Sequence, residues 1–254
     1  MERDELARLL DNLLESAKFE DYSPNGLQVE GRAEIRRVIT GVTASQALLD
    51  EAVRRNADAV IVHHGLFWRG DSSVVLGYRK RRLAALLKHD INLFAYHLPL
   101  DAHPDLGNNA QWGRAMNWQI EGSFGRQSLG LYGRLPTPCS LRSLSLRLEE
   151  VLLRPPLVVA PENTRREERL LSRLAWCSGG AQDYIEAAVA LGVDAFLSGE
   201  ISEQTPHVAL ESGMAYLACG HHASERFGPM ALASWLSEHA DIACEFVDYP
   251  NPAG

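Results

Sequence analysis

Residues 37–65 read RVITGVTASQALLDEAVRRNADAVIVHHG, and the fold turns on how they are parsed. Residues 37–43 are a short apolar run of the kind that forms a buried strand. Ser45 follows as a helix N-cap, and Leu48, Leu49, Ala52 and Val53 supply the apolar face of a helix over 45–56. Residues 58–62 are a second buried strand, which ends in His63-His64-Gly65. Strand, helix and strand in this order make one repeat of an α/β sheet with parallel strands and helical crossovers.

The rhythm extends in both directions. Upstream, Leu6, Leu9, Leu10, Leu13 and Leu14 form one stripe of a helix, which Pro24-Asn25-Gly26 ends in a turn. Downstream, 80–89 is an amphipathic helix, 91–96 a strand ending in His97, and 106–117 a helix. Residues 122–138 are rich in glycine and close on Pro136 and Pro138, which marks a boundary followed by short strands. Two lobes are therefore expected, 1–124 and 125–254, interlinked as one functional unit. In the second, 140–153 is a helix stopped by Pro155-Pro156, and 164–169 is a charge run expected in a solvated turn. Strands follow at 170–177, 193–198, 214–219 and 243–247, with helices at 183–191, 203–213 and 227–239. Three of these strands end in Ser178-Gly179-Gly180, Gly199-Glu200 and Gly220-His221-His222.

Composition removes several classes of function. Apolar residues make up 46% and charged residues 23% of the 254, a balance that folds rather than stays disordered. The net charge of −8 argues against a general nucleic-acid or anionic-membrane binder. The start, MERDELARLL, is charged from its second residue and does not read as a secretory leader. No charge-free apolar run approaches the ~20 residues of a membrane span. Cys139, Cys177, Cys219 and Cys244 are far apart and form no C-x-x-C pair, so structural zinc and a disulfide framework are not expected and a reducing cytoplasm fits.

The chemistry lies at the strand ends, where open α/β sheets bind ligands. Four of the nine histidines form two His-His pairs, both at such ends. His97 and Asp101 are four apart with Pro99 between them, a spacing expected on a turn. His221 and Glu225 are four apart at the start of a helix, which puts both on one face. Imidazoles with carboxylates suit zinc, manganese, iron or nickel, and the surplus of donors over one tetrahedral site suggests two metals sharing a carboxylate. Ser178-Gly179-Gly180 reads equally as a phosphate cradle or as a tight turn. Glu200 reads as a general base or as a group that orients a ligating histidine. Asn25-Gly26 reads as a turn, Trp68 as a residue beside the site, and His89, His103, His207 and His239 as structural.

These residues fall in stretches that together resemble a known family: YSPNGLQV at 22–29, GVTAS at 41–45, VHHGLFW at 62–68, YHLPLD at 96–101, CSGG at 177–180, LSGE at 197–200 and ACGHHASER at 218–226. The chain resembles the YbgI-like dinuclear-metal proteins, the GTP cyclohydrolase 1 type 2 homologues, from about residue 20 to residue 240. The resemblance implies two interlinked α/β lobes, with mixed sheets flanked by helices and a dinuclear metal site between the halves. It implies that His64 and Asp101 bind one divalent ion, that His63 and His221 bind the other, and that Glu225 bridges them. His97 is implied as an extra ligand or a close neighbour, and His97 and Glu200 are the candidates for catalytic proton transfer. It further implies a homo-oligomer, a ring-shaped hexamer.

The function expected is a metal-dependent hydrolase acting on a nucleotide-like small molecule through a metal-bridging hydroxide. In cyclohydrolase chemistry that nucleophile would attack C8 of guanine, with loss of formate. Two alternatives stand beside it: a non-catalytic metal-binding scaffold or regulatory protein, and a two-metal phosphoesterase or amidohydrolase.

Overall fold

In the computed structural model, which describes residues 1–165 and 168–253, the chain alternates strands and helices almost throughout. In chain order the elements are α1 (Arg3–Leu13), β1 (Gly26–Val29), β2 (Arg37–Thr43), α2 (Gln46–Arg54), β3 (Ala59–His64), α3 (Gly77–His89), β4 (Asn92–Ala95), α4 (Leu98–Ala102) and α5 (Asn108–Ala115). Next come β5 (Gln119–Phe124), β6 (Gly130–Ser140), α6 (Leu141–Leu152), β7 (Leu157–Val159), β8 (Leu170–Cys177), α7 (Ile185–Ala190) and β9 (Ala195–Ser198). The chain closes with α8 (Thr205–Ser212), β10 (Ala215–Ala218), α9 (His221–Ser224), α10 (Phe227–His239) and β11 (Ala243–Phe246). The solvated turn expected at 164–169 lies partly outside the described residues. Among the described residues no helix is long and apolar enough to cross a membrane.

The first compact unit holds Met1–Gly107 and Gly228–Tyr249. Its sheet runs β1-β4-β3-β2-β11, parallel except for β1, which pairs antiparallel with β4. Side chains alternate across this sheet with period two. Val38, Ala59, Ile61, Phe94 and Tyr96 pack with Leu6, Leu10 and Leu14 of α1 and with Leu232 and Leu236 of α10. Their neighbours Ile39, Val60, Val62, Leu93 and Ala95 pack instead with Leu48, Leu49 and Ala52 of α2 and Leu86 of α3. The strands are buried on both faces, which is why they read as continuous apolar runs. Each fully buried leucine contributes about 1.5–3 kcal/mol of transfer free energy. Ser45 caps α2 as expected, its Oγ accepting from the Leu48 amide at 3.2 Å.

The second unit holds Asn108–Phe227 together with the last residues from Pro250. Its sheet runs β5-β6-β8-β9-β10-β7. Strands β8, β9 and β10 are parallel, whereas β5, β6 and β8 form an antiparallel meander and β7 closes the other edge antiparallel. Leu144, Leu148 and Leu152 of α6, Trp112 of α5 and Met116 just after it pack on Leu174, Trp176, Leu197 and Leu217 of the sheet.

The architecture is thus two α/β lobes with mixed sheets flanked by helices. The chain links them because α10 and β11 return to the first unit, where β11 pairs in parallel with β2. Strand β5 belongs to the second unit although it precedes the glycine-rich boundary expected at 124/125. Residues 98–102 also depart from expectation. They form the short helix α4 rather than a turn, with the Asp101 amide donating to the His97 carbonyl at 3.2 Å. Pro99 permits this because it lies in the first turn, where its missing N–H has no intrahelical partner to lose.

Candidate metal centre

In the first unit the parallel strands deliver their carboxyl ends to one place. β3 ends in His63 and His64, β4 is followed by His97, and α4 carries Asp101. One donor atom of each of His63, His64 and His97 lies within 4.8 Å of the others. The ring centroid of His63 is 4.6 Å from that of His64 and 5.0 Å from that of His97. His63 is fully buried, and its Nδ1 lies 3.0 Å from the Tyr96 carbonyl oxygen. A carbonyl only accepts, so His63 carries its hydrogen on Nδ1 and presents the Nε2 lone pair. That Nε2 is 3.6 Å from Oδ1 of Asp101.

His97 is held in the same way. Its Nδ1 is 2.9 Å from Oδ1 of Asp21, and its amide donates to Oδ1 of Asn25 at 2.8 Å. Asp21 is the residue that sequence reasoning missed. It also accepts from the Leu98 amide at 3.0 Å and from Nδ2 of Asn25 at 3.0 Å. Burial alone would raise its carboxyl, but the hydrogen bonds from His97, Asn25 and Leu98 and the His97 charge hold it well below the usual carboxylate range. It thus favours the ionised form and orients His97, as carboxylates behind metal-binding imidazoles do. Thr43 plays the smaller part for His64, with Oγ1 3.2 Å from Nδ1. With all three Nδ1 atoms engaged, Nε2 is the nitrogen each ring offers. Three imidazoles and a carboxylate suit a transition metal better than magnesium or calcium.

An aromatic wall flanks this cluster. The Trp68 ring is 5.1 Å from that of His97 and 5.8 Å from that of His64, and Tyr22 lies 5.5 Å from Trp68. Trp68 thus stands beside the site, as expected.

The second unit gathers its own donors at the ends of β8, β9 and β10. His221 sits between two carboxylates, with Nδ1 2.7 Å from Oε1 of Glu200 and Nε2 3.1 Å from Oε2 of Glu225. Burial opposes protonation of His221, but Glu225 and Glu200 outweigh it and raise its pKa to about 9. His221 and Glu225 share a face as their spacing predicts, across the short helix α9 with Glu225 at its C-cap. Glu200 orients His221 in this geometry.

Close packing of loops makes that arrangement possible. The Gly199 amide donates to the Gly179 carbonyl at 2.9 Å, and the Gly220 amide to the Gly199 carbonyl at 2.9 Å. A Cβ on Gly179, whose φ is +65°, would collide with Oε1 of Glu225. The alternatives left open for 178–180 separate here. The Ser178 amide donates to Oδ1 of Asn109, the Gly179 amide to Oγ of Ser224 and the Ala181 amide to Oγ of Ser198. The Ser178 and Gly179 amides are engaged within the protein, which supports the tight turn over the phosphate cradle. Of the histidines read as structural, His103 accepts from the amides of Asp105 and Leu106, and His239 stacks on Trp235 at 4.7 Å.

Comparison with known proteins finds relatives in sequence and in fold. The family Duf34/NIF3 (NGG1p interacting factor 3) matches residues 1–252. A Yersinia pestis protein named GTP cyclohydrolase 1 type 2 homolog is 52% identical over 252 residues, covering 98% of each chain. A solved structure described as protein ybgI, of unknown function, superposes with a TM-score of 0.94 at 49% identity over all of both chains. A Thermus thermophilus structure does so with a TM-score of 0.88 at 34% identity, over 99% of this chain and all of the other.

Proposed function

We propose, from the premise that the chain belongs to the Duf34/NIF3 (NGG1p interacting factor 3) family, that it is a dinuclear-metal hydrolase of nucleotide-like substrates. The observation that carries the reading is the first-unit cluster, three imidazoles converging beside a buried carboxylate. In this proposal His64 and Asp101 would hold one divalent ion, His63 and His221 would hold the other, and Glu225 would be the carboxylate they share. Zinc, iron, manganese or nickel fits such a nitrogen-and-oxygen donor set. Bound there, a pair of ions would lower the pKa of water and polarise the substrate.

The chain's own groups do the rest. Asp21 keeps the His97 proton on Nδ1 and leaves Nε2 facing the cluster, as an extra ligand or as the group that exchanges a proton with substrate. Glu200 holds the proton on Nδ1 of His221 and frees Nε2 for the ion. Tyr22 and Trp68 offer flat faces beside the imidazoles, which suits a heterocycle. The name shared by the relatives supports a cyclohydrolase reaction, ring opening of a guanine nucleotide. The resemblance also supports a homohexameric ring, which light scattering of the purified protein would test, and the scattered cysteines suit a reducing cytoplasm.

The decisive assay incubates metal-loaded protein with GTP and with panels of phosphoesters and cyclic amides. Ring-opened product that disappears in His64→Ala supports the proposal. Release of phosphate alone, or turnover of a cyclic amide alone, replaces it with a two-metal phosphoesterase or amidohydrolase. No turnover at any metal loading leaves a metal-binding scaffold.

A further inference from the structure

The segment after His64 holds a feature that the metal cluster does not use. Between the loop at 65–76 and the start of α3 lies a cavity of about 230 Å³, with Trp68, Asp71, Tyr78, Arg79 and Arg82 in its wall. That is less than the ~300 Å³ at which pockets for drug-sized ligands begin, so it takes part of a ligand rather than a whole nucleotide. Trp68 is a shared wall, because its other neighbours are the rings of His64 and His97.

The charge here runs against the rest of the chain. The protein carries a net −8, yet Arg79-Lys80-Arg81-Arg82 puts four consecutive cations in the first two turns of α3. Cations near a helix N-terminus are disfavoured by the helix dipole, which attracts anions instead. The α3 sequence has no acidic residue, and its N-cap, Leu76, makes no side-chain capping bond. Asp71 pairs with Arg79 at 2.6 Å. Arg82 lies over the Tyr78 ring at 5.2 Å, and its buried Nε has no hydrogen-bond partner among the described residues. Arg79 also donates to the Ser72 carbonyl and the Tyr78 hydroxyl, so Arg82 is the guanidinium with an unengaged buried Nε, and an anion with several oxygens matches that group beside the positive end of the helix.

We infer that this cavity is the subsite for the phosphoryl groups of a nucleotide, whose base lies against Trp68 toward the imidazole cluster. The inference rests on the nucleotide-like substrate of the proposed function and names how that substrate is held. A small polyanion fits better than a nucleic acid strand, because strand binding neutralises many phosphates along a basic track and this cluster is one short stretch.

The test uses the full-length protein stripped of metal, so that anion binding is read apart from the metal centre. Tripolyphosphate, GTP and guanosine are titrated by calorimetry into the wild type, Arg79→Gln/Arg82→Gln, Lys80→Gln/Arg81→Gln and Trp68→Ala. The double arginine variant should bind tripolyphosphate and GTP at least about tenfold more weakly, the loss expected for charge-assisted bonds. Lys80→Gln/Arg81→Gln should lose about threefold or less, the effect of distant exposed charges. Trp68→Ala should keep tripolyphosphate and lose the extra affinity for GTP. Arg82→Lys keeps the charge without the planar fork; it should weaken tripolyphosphate severalfold and serves if the double variant fails to fold. Metal content in the double arginine variant should match the wild type, whereas His63→Ala should lose metal and keep tripolyphosphate. Unchanged tripolyphosphate affinity without Arg79 and Arg82, or an equal loss in Lys80→Gln/Arg81→Gln, overturns the inference. So does a single-stranded oligonucleotide that displaces GTP with a steep salt dependence. Wild-type metal content in His63→Ala, with tripolyphosphate binding still dependent on Arg79 and Arg82, would instead count against the metal centre alone.

Discussion

Asp21→Asn is the substitution that separates orientation from mere occupancy at the imidazole cluster. The Asp21 side chain is 3% exposed, and both its oxygens accept. Oδ1 takes Nδ1–H of His97 at 2.9 Å and the amides of Tyr22 at 2.7 Å and Ser23 at 3.1 Å, while Oδ2 takes Nδ2 of Asn25 and the Leu98 amide, each at 3.0 Å. An asparagine must place its NH₂ against one of these donor sets. The less costly choice faces Asn25 and Leu98, which leaves two donors without an acceptor. Asn25 cannot turn over without loss, since its Oδ1 accepts from the His97 amide. A hydrogen bond to a charged group contributes about 1.5–3 kcal/mol, and partial relaxation leaves an expected destabilisation of about 3 kcal/mol. Metal affinity should fall about 10–100-fold, the range for loss of a group that orients a ligating histidine. Denaturant unfolding of the metal-free protein gives the first quantity, and metal titration against a competing chelator gives the second. Asp21→Glu, which keeps the charge, should recover part of the affinity. Metal affinity within about twofold of wild type, with stability lowered by the expected amount, would refute the orienting role.

Two further outcomes follow from the second unit. His221 is raised from 6.5 to about 9, so the metal-free protein holds this stabilisation in full below pH 6.5 and loses it as pH rises through 9. The amount is at most about 3 kcal/mol, and denaturant midpoints across that window should flatten in His221→Gln. Metal binding must displace the same proton, so affinity at this histidine should rise with pH over the same range. Gly179→Ala adds a Cβ that meets Glu225, at a residue with φ of +65°. It should cost about 1–3 kcal/mol in thermal unfolding and lower metal affinity by moving the Glu225 carboxylate. Wild-type metal affinity in that variant would show that Glu225 is not needed where it stands.

The legible parts of this molecule are those set by local periodicity. β2, α2 and β3 follow from apolar runs and a capping serine, and His63-His64 falls where β3 ends. His221 and Glu225 were found together because four residues is one helical turn. The edge strands β1 and β7 were not legible, being four and three residues long and only partly buried. The helix α4 was hidden by Pro99, which reads as a breaker unless its place in the first turn is known. Asp21 was missed because its partner His97 lies 76 residues away, and nothing local marks that contact. The one cue was its place directly before the YSPNGLQV stretch. The turn at 178–180 was undecided in sequence because its acceptors, Asn109, Ser198 and Ser224, come from three other segments.

The central claim is the proposed pair of ions held by His63, His64, Asp101, His221 and Glu225. It is tested most directly by elemental analysis of the purified protein and of Glu225→Ala. The account predicts about two transition-metal ions per chain in the wild type and loss of most of them in the variant, because the bridging carboxylate is common to both. Full occupancy in Glu225→Ala would contradict it.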